Sequence, residues 1–385
     1  MNPQELRKTG EPRRIGIDGR VLQDPKPSGI SQYAYNIIKE LSSIDRKNQY
    51  IIFYNSFREV ENIVPTFGDN FQSRTYHFPN KILEWLWKVI PYPKIDRVLN
   101  VDVFFSPHFI NIPLTKKVNK TVTIHDLSFI KNKNYFSWRK NLWHWQMSPK
   151  KMCKSFDKIV AVSDSTKHDL SRIYKIDEGK IKTIYNGARK IIDLFPDEDN
   201  ELNFLKKLNI EKKKYILFLA TLEPRKNITG LLDAFNLIKE KANLKLVIAG
   251  KKGWLFKNIF KKTENYDLEQ KVVFTDFINE EEKHMLFKNC SLFVFPSFYE
   301  GFGIPVIEAA NYKVPIITSS SSSIPEIIKD SAILINPHNI NDLARAILEV
   351  TNKKQLQNLL IKKENGTNDY SWRESARKTL DYILS

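Results

Sequence analysis

The chain has few cysteines, no long apolar run and no apolar N-terminal segment. Its 385 residues include only Cys153 and Cys290, which are far apart and outside any Cys-x-x-Cys pair. This excludes a disulfide scaffold and a thiolate zinc site. The chain contains no run of about 18 apolar residues, so no membrane span is predicted. Residues 1–14 lack the apolar core of a signal peptide. We therefore expect a cytoplasmic protein.

The basic charge is concentrated in the first half of the chain. The formal net charge is +17; residues 1–190 contribute 33 Lys/Arg against 18 Asp/Glu, and residues 191–385 contribute 28 against 26. An excess of this kind indicates an anionic partner surface for the first half. The alternative is a lysine-rich composition whose excess is only solvated surface.

Short β-branched and aromatic runs alternate with amphipathic segments, which is typical of βαβ units on a parallel sheet. The predicted strands are 13–20, 50–55, 101–106, 120–126, 157–164 and 180–187, then 214–220, 245–250, 271–276, 291–297, 315–320 and 331–337. The predicted helices are 30–43 and segments near 227–240, 279–289, 305–312, 324–329 and 339–351. Residues 189–213, mixed and charged, are predicted to be a linker. The pattern predicts two doubly wound α/β domains, 1–190 and 191–370, with a cleft between them as the ligand site.

The segment PSFYEGFGIPVIEAANYKVPIITS carries the strongest chemical signal. A buried strand ends in a loop with Glu300, Gly301, Phe302 and Gly303, and Pro305 follows in the first turn of a helix. Such a loop presents backbone N–H groups and the positive end of a helix dipole to an anion. Glu308 lies about one turn into the helix, where its side chain leans back toward the N-terminus. Two carboxylates so placed can hold hydroxyl groups at opposite ends of a phosphate-linked ligand.

This segment resembles the Glu-x7-Glu signature of the retaining, nucleotide-sugar-dependent glycosyltransferases of family four, which have the GT-B fold. The similarity extends over nearly the whole chain through IGIDGR, PSGISQYAYNIIKEL, TIHDLSF, IVAVSDSTKHDL, IKTIYNGA, FLATLEPRKNITGLLDAF, LVIAGKKGW and SSIPEIIKDSAILINP. The LEPRKN and HDLSF variants look most like the bacterial mannosyltransferases that build O-antigen and other surface polysaccharides.

The resemblance implies roles for single residues. Arg225 and Lys226 neutralise the leaving diphosphate, although many members carry the Arg five residues before the Lys, where this chain has Thr221. His125 donates a hydrogen bond to the transferred sugar. Glu300 positions that sugar, and Glu308 holds the ribose. The remaining expected donor-binding residues are Gly29, Gly301, Phe302, Gly303 and Ile304.

The resemblance also assigns the domains. The first binds the acceptor, the second binds the nucleotide sugar, and residues 371–385 form a helix that crosses back to the first. We expect no metal and no cofactor, since Asp197-Glu198-Asp199 has Asp-x-Asp spacing but lies in the predicted linker without a preceding strand. Cysteine and histidine spacings indicate no metal site either.

Residues 80–94 and 131–154 mix aromatic with basic side chains and contain five of the seven tryptophans. Such segments favour an anionic membrane surface; ordinary core packing with solvated lysines is the alternative. Binding of single-stranded nucleic acid lacks any accompanying RNA-binding signature, and we expect no nucleic-acid partner.

The resemblance implies a hexosyltransferase, and the basic first half places it as a peripheral protein at the inner face of the plasma membrane. The expected donor is GDP-mannose, and the expected acceptor is a lipid-linked oligosaccharide in surface-polysaccharide synthesis. One alternative is the same fold with a UDP-sugar donor such as UDP-glucose or UDP-N-acetylglucosamine. Another is a non-catalytic protein whose basic half binds membrane or nucleic acid.

Overall fold

The computed structural model of the chain describes residues 11–23, 28–56, 65–77, 83, 87, 90–139, 142, 147–188, 197–362 and 370–385. The strands within these residues are β1 Arg14–Asp18, β2 Gln49–Asn55, β3 Phe71–Tyr76, β4 Val103–Ser106, β5 Asn119–Ile124, β6 Lys158–Ala161, β7 Ile181–Thr183, β8 Tyr215–Leu219, β9 Lys245–Ala249, β10 Val272–Asp276, β11 Leu292–Phe295, β12 Ile316–Ser319 and β13 Ile333–Ile335. The helices are α1 Gly29–Ile44, α2 Ile95–Leu99, α3 Ser128–Lys131, α4 Pro149–Ser155, α5 Asp164–Tyr174, α6 Glu198–Lys207, α7 Ile228–Ile238, α8 Lys257–Asn265, α9 Glu280–Asn289, α10 Ile304–Asn311, α11 Ile324–Ile328, α12 Ile340–Asn352, α13 Lys354–Lys362 and α14 Trp372–Leu384.

The chain divides into two compact units, and unit 1 combines residues 1–127, 142–187 and 370–385. Its strands form one parallel sheet in the order β3-β2-β1-β4-β5-β6-β7. The strand order reverses beside β1, because β2 lies on one side of it and β4 on the other. In an open sheet of this kind, the loops at the carboxyl ends of the strands on either side of the reversal form a ligand-binding crevice.

Helix α14 is part of the core of unit 1. Its residues Ala376 and Ile383 are fully buried in the same apolar cluster as Ile37 and Leu41 of α1. The start of α14 also contacts Gly187 so closely that a Cβ there would lie 2.2 Å from the Trp372 backbone N. Gly187 is therefore required by this close approach.

Unit 2 combines residues 128–141 and 188–369. Its parallel sheet has the order β10-β9-β8-β11-β12-β13, and its strand order reverses between β8 and β11. The strands β8, β9 and β11 are nearly continuous runs of buried apolar residues, as expected for a parallel sheet covered on both faces by helices.

Residues 128–141 supply aromatic packing to unit 2. Trp254 Nε1 donates a hydrogen bond to the carbonyl oxygen of Tyr135 (2.5 Å). The Phe136 ring stacks on Trp254, and the Tyr135 ring stacks on Phe298, with ring centroids 5.5 and 5.8 Å apart. Part of the aromatic and basic segment 131–154 is therefore used in packing, while Trp138 remains exposed.

The prediction of two doubly wound α/β domains is confirmed. One local prediction needs correction, and some elements were not predicted. The predicted linker 189–213 contains α6, whose N-cap Asp197 accepts a hydrogen bond from the Asp199 backbone N. The helix α8 was not predicted, and neither was β3, an edge strand whose largely exposed side chains (FQSRTY) give no apolar pattern. Residues 189–196 lie outside the described residues.

Candidate active site

The candidate site in unit 2 lies at the carboxyl ends of the adjacent strands β8 and β11. The loop after β8 forms a short 3-10 turn, Pro224–Lys226. The loop after β11 runs alongside it, and the Phe298 backbone N donates to the Arg225 carbonyl oxygen (2.9 Å). This contact places the basic pair of one loop beside the acidic residue of the other. The position is the reversal of strand order at which open α/β sheets bind ligands.

Glu300 forms ion pairs with both cations of the neighbouring loop. Lys226 Nζ lies 2.7 Å from Glu300 Oε1, and Arg225 Nη1 lies 3.4 Å from Glu300 Oε2. The Arg225 guanidinium also donates from Nε and Nη2 to Glu223 Oε1, at 3.0 and 2.9 Å. These contacts hold two cations and two carboxylates in one network, so an incoming anion meets positive groups that are already oriented.

The charge state of Glu300 follows from its surroundings. Burial by itself raises the pKa of this carboxyl, but the charges of Lys226 and Arg225 and the hydrogen bond from Lys226 outweigh it and lower the pKa. Glu300 therefore stays ionised at neutral pH. The two cations fix the orientation of the carboxylate, and each of its oxygens can still accept a further hydrogen bond from a ligand.

The glycine turn that follows Glu300 is held by two serines. Glu300 N donates to Ser322 Oγ (2.8 Å), and Ser323 Oγ donates to the carbonyl oxygens of Glu300 and Phe302. Gly303 is the N-cap of α10 with φ +94°, and a Cβ there would lie 2.6 Å from Ile324 Cδ1. A side chain at this position is thus both strained and crowded. The turn leads directly into the amide groups of Ile304 and the rest of the first turn of α10.

Glu308 is buried in α10 and paired with a lysine that sequence reasoning missed. Lys283 Nζ, on α9, donates to Glu308 Oε1 (2.7 Å) and lies 3.0 Å from Glu280 Oε2. Burial lowers the pKa of Lys283, but the Glu308 and Glu280 carboxylates outweigh that effect and raise it, so the ammonium is retained.

Unit 1 places His125 and Gly29 at the carboxyl edge of its own sheet. His125 follows β5, and its ring packs edge-on against Tyr33 of α1, with centroids 4.8 Å apart. Gly29 is the first residue of that helix, is exposed, and has open space where a Cβ would project. Helix α1 therefore links the two residues within unit 1, because it begins at Gly29 and its Tyr33 contacts the His125 ring.

The hydrogen bond from His125 to Pro107 determines which ring nitrogen can bind a ligand. Nε2 lies 2.9 Å from the carbonyl oxygen of Pro107, which can only accept, so Nε2 carries the hydrogen. Burial lowers the pKa of His125 and keeps the ring neutral despite opposing contributions from Pro107 and Asp126. Nδ1 is then an acceptor, so a hydrogen bond to a sugar hydroxyl would run from the hydroxyl to the ring, opposite to the expected direction.

The structure brings together Arg225, Lys226, Glu300, the turn Gly301–Gly303 and Glu308 within unit 2. Sequence reasoning missed Lys283 because its partner Glu308 lies on another helix. It also missed Glu223, which pairs with Arg225 in the same loop. Asn227 is the N-cap residue of α7, but its side chain makes no capping hydrogen bond. Asn227 instead donates from Nδ2 to the carbonyl oxygens of Pro296 and Pro337 (3.2 and 2.7 Å), which ties the basic loop to its neighbours.

The residues that the structure describes contain neither a metal-binding cluster nor a helix that could span a membrane. In that part of the chain, no group of three or more His, Cys, Asp or Glu side chains is arranged to hold a metal ion. No helix there combines the length and the apolar character that crossing a bilayer requires.

The two doubly wound units and the paired loops of unit 2 define the class: the chain is a GT-B protein. Among solved structures, sucrose-phosphate synthase from Thermosynechococcus elongatus matches 97% of this chain and 98% of its own, with a TM-score of 0.76 and 18% identity. Anabaena HepE, solved in complex with UDP and glucose, matches 97% of this chain and 100% of its own, with a TM-score of 0.70 and 16% identity.

Family models then identify the chain. The model described as Glycosyltransferase Family 4 matches residues 27–189, and the model described as Glycosyl transferases group 1 matches residues 199–366. Together the two models cover most of the chain, which belongs to the glycosyltransferases that they describe.

Curated relatives carry mannosyltransferase names. O-antigen chain mannosyltransferase B of Escherichia coli is 27% identical over 66% of this chain and 65% of its own length. O-antigen chain mannosyltransferase RfbU of Salmonella typhimurium is 26% identical over 84% of this chain and 88% of its own. Serotype-specific mannosyltransferase WbdA of Escherichia coli is 28% identical over 65% of this chain, but the match spans only 32% of WbdA.

Proposed function

We propose that the chain is a retaining glycosyltransferase that moves mannose from GDP-mannose to a lipid-linked glycan during cell-surface polysaccharide synthesis. The observation that carries the proposal is the network of Arg225, Lys226 and Glu300 beside the glycine turn of α10. The names of the curated relatives favour mannose as the sugar and O-antigen as the kind of product.

The geometry suits a nucleoside diphosphate as leaving group. Lys226 is largely buried, and its ammonium lies 5.2 Å from the centre of the Phe295 ring, in surroundings where water screens charge poorly. Lys226 and Arg225 stabilise the charge that develops on the departing diphosphate without a metal ion. The amides of the turn Gly301–Gly303 and of Ile304 bind the phosphate oxygens at the start of α10.

The two carboxylates hold hydroxyl groups of the donor. Glu300 positions the sugar, and Glu308 accepts hydrogen bonds from the ribose. Within unit 1, His125 Nδ1 accepts from a sugar hydroxyl, and the exposed turn at Gly29 lets backbone approach a phosphate group. Because Glu300 is occupied by two cations, we assign it no nucleophilic role and propose front-face attack within an ion pair, with retention of configuration.

The donor is tested by thermal unfolding with a panel of GDP-, UDP- and ADP-sugars. A donor present at 100 times its Kd should stabilise the folded chain by about 2.7 kcal/mol. We expect the largest rise in Tm with GDP-mannose. In a separate transfer assay, activity with GDP-mannose should persist in the presence of EDTA. A larger rise with a UDP-sugar would favour the second donor class, for which the HepE complex with UDP and glucose is a structural precedent. No rise with any sugar nucleotide would overturn the enzymatic proposal.

The lipid-linked acceptor requires unit 1 to work at an anionic membrane surface on the cytoplasmic side. Unit 1 has a cavity of about 480 Å³ whose rim carries Lys94, Arg97 and Lys116. None of these cations pairs with a carboxylate of a described residue. The cavity is also lined by Tyr92, which is 73% exposed. Exposed aromatic and basic side chains together favour a bilayer interface with anionic headgroups. Tyr92 and Lys94 belong to the predicted membrane segment 80–94, of which most of residues 80–89 lie outside the described residues.

Changing Lys94, Arg97 and Lys116 together to Gln should weaken binding to anionic vesicles. Each basic residue near such a surface contributes roughly 1 kcal/mol, so the triple variant should bind about a hundredfold less tightly. Co-sedimentation of the full chain with vesicles containing phosphatidylglycerol measures this effect, which should shrink as salt is raised.

The matched control is the Gln variant of Lys206, Lys207 and Lys241, three exposed lysines of unit 2. It removes the same formal charge from a different surface. Equal loss of binding in both triple variants would show a general charge effect and would contradict the assignment of the membrane surface to this cavity.

A further inference from the structure

An ion pair joins helices α9 and α10, and the proposed reaction gives its lysine no role. Lys283 Nζ lies 2.7 Å from Glu308 Oε1, and the side chains of both residues are at least 85% buried. Lys283 is held from its other side by the half-exposed Glu280, at 3.0 Å. The helix that carries Lys283 is itself anchored at its N-terminus, where Asn279 and Glu282 form a reciprocal capping box.

This pair occupies only one oxygen of Glu308. Oε1 accepts from Lys283, whereas Oε2 accepts no hydrogen bond from any residue that the structure describes. A carboxylate with one oxygen fixed by a cation and the other available is suited to a vicinal diol. The 2′- and 3′-hydroxyl groups of a ribonucleotide present two donors at neighbouring carbons, and hydrogen bonds to an ionised group are the stronger class.

We infer that Lys283 is the positioning residue that orients Glu308 toward the ribose diol, and thereby sets the preference of the site for ribonucleotides. The inference rests on the proposed function, in which Glu308 receives the ribose. Lys283 itself touches neither the sugar nor the diphosphate. Its contribution is to fix the orientation of the carboxylate and to neutralise its charge in a buried place.

The physical reason is the soft terminal torsion of glutamate. Rotation of the carboxylate about its last side-chain bond is broad rather than confined to staggered positions. With Lys283 in place, the hydrogen bond to Oε1 selects one orientation. Without it, a buried carboxylate has lost its partner, which strongly favours any rearrangement that brings it to water. Glu308 would then face the diol in only a fraction of molecules.

The test compares Lys283→Met with the unaltered chain by calorimetric titration. The probes are GDP and UDP, each measured beside its 2′,3′-dideoxy counterpart. The unaltered chain should prefer the ribonucleotide by roughly ten- to hundredfold, the range for hydrogen bonds to a charged group. In Lys283→Met this preference should fall to about threefold or less through weaker ribonucleotide binding, with dideoxynucleotide affinity nearly unchanged. Lys283→Arg should restore most of the preference.

Lys288→Met is the matched control, since Lys288 lies on the same helix and also forms an ion pair, with Glu201 (2.6 Å). It should keep the full preference. If Lys283→Met weakens both members of a nucleotide pair equally, or leaves their ratio unchanged, the inference is overturned while the proposed function stands. If the unaltered chain binds none of the four nucleotides, the proposed function fails, and the inference fails with it.

Discussion

Replacing Lys226 by methionine is expected to lower kcat for sugar transfer by about 10²–10³-fold, the usual cost of removing one preorganised group that stabilises developing charge. Methionine keeps much of the length and packing of the side chain but removes the ammonium that lies 2.7 Å from Glu300. Arg225 still pairs with Glu300, so the remaining buried carboxylate is not left without a cation. The effect should therefore fall mainly on kcat, with a smaller change in KM, as measured by initial rates with GDP-mannose.

Lys262→Met is the control for this variant. Lys262 pairs with Asp233 at 2.6 Å and lies 5.7 Å from the centre of the Tyr266 ring, so it repeats both the ion pair and the cation–ring contact of Lys226 elsewhere in unit 2. Its kcat should stay close to that of the unaltered chain. A Lys226→Met protein that keeps both its Tm and at least a third of the original kcat would contradict the assigned role.

Replacing Gly187 by alanine is expected to destabilise unit 1 by about 1–3 kcal/mol, the range for inserting atoms into a well-packed site. The added Cβ would lie 2.2 Å from the Trp372 backbone N and 2.6 Å from its Cα, so the start of α14 must move away from residue 187. For a unit of this size each kcal/mol corresponds to roughly 2–4 °C in Tm. Differential scanning calorimetry of the full chain measures the shift.

Gly29→Ala is the matched glycine control for stability. It lies at the first position of α1, and a Cβ there meets nothing within 4 Å. Alanine at such a position leaves stability unchanged or raises it by about 0.4–1 kcal/mol, because it restricts the unfolded chain. A Gly187→Ala protein with a Tm as high as that of Gly29→Ala would show that α14 does not depend on this close approach.

Local sequence signals predicted the elements that are buried on both faces. Runs such as YILFLA and SLFVFPS leave few alternatives to central parallel strands, and both lie in the sheet of unit 2 as β8 and β11. The edge strand β3 could not be found in this way, because its side chains are half-exposed or exposed and it is defined by pairing with β2. The helix α6 was hidden by a charged composition that also suits a linker.

In the candidate site too, residues with a local sequence signal were predicted, and residues defined by distant partners were not. Glu300, Gly303 and Glu308 stand in one segment whose spacing carries meaning, so the sequence indicated them together. Lys283 stands in a charged run, NEEEKH, where nothing distinguishes it from a solvated lysine. Its role depends on a neighbour 25 residues away, and only the packing of α9 on the rest of unit 2 brings the two side chains into contact. The direction of the His125 hydrogen bond likewise depends on a distant carbonyl, that of Pro107.

The seating of α14 on α1 has a consequence for the order in which the protein matures on the ribosome. Every residue of unit 2 after position 187 is synthesised before Ala376 and Ile383, which complete the apolar cluster around Ile37 and Leu41. At about 5–20 residues per second, the segment 188–369 takes roughly 9–36 s to translate. During that interval the part of α1 that packs against α14 remains uncovered. Unit 2 is thus the first to acquire its complete sequence, and the apolar core of unit 1 is completed only once α14 has been synthesised.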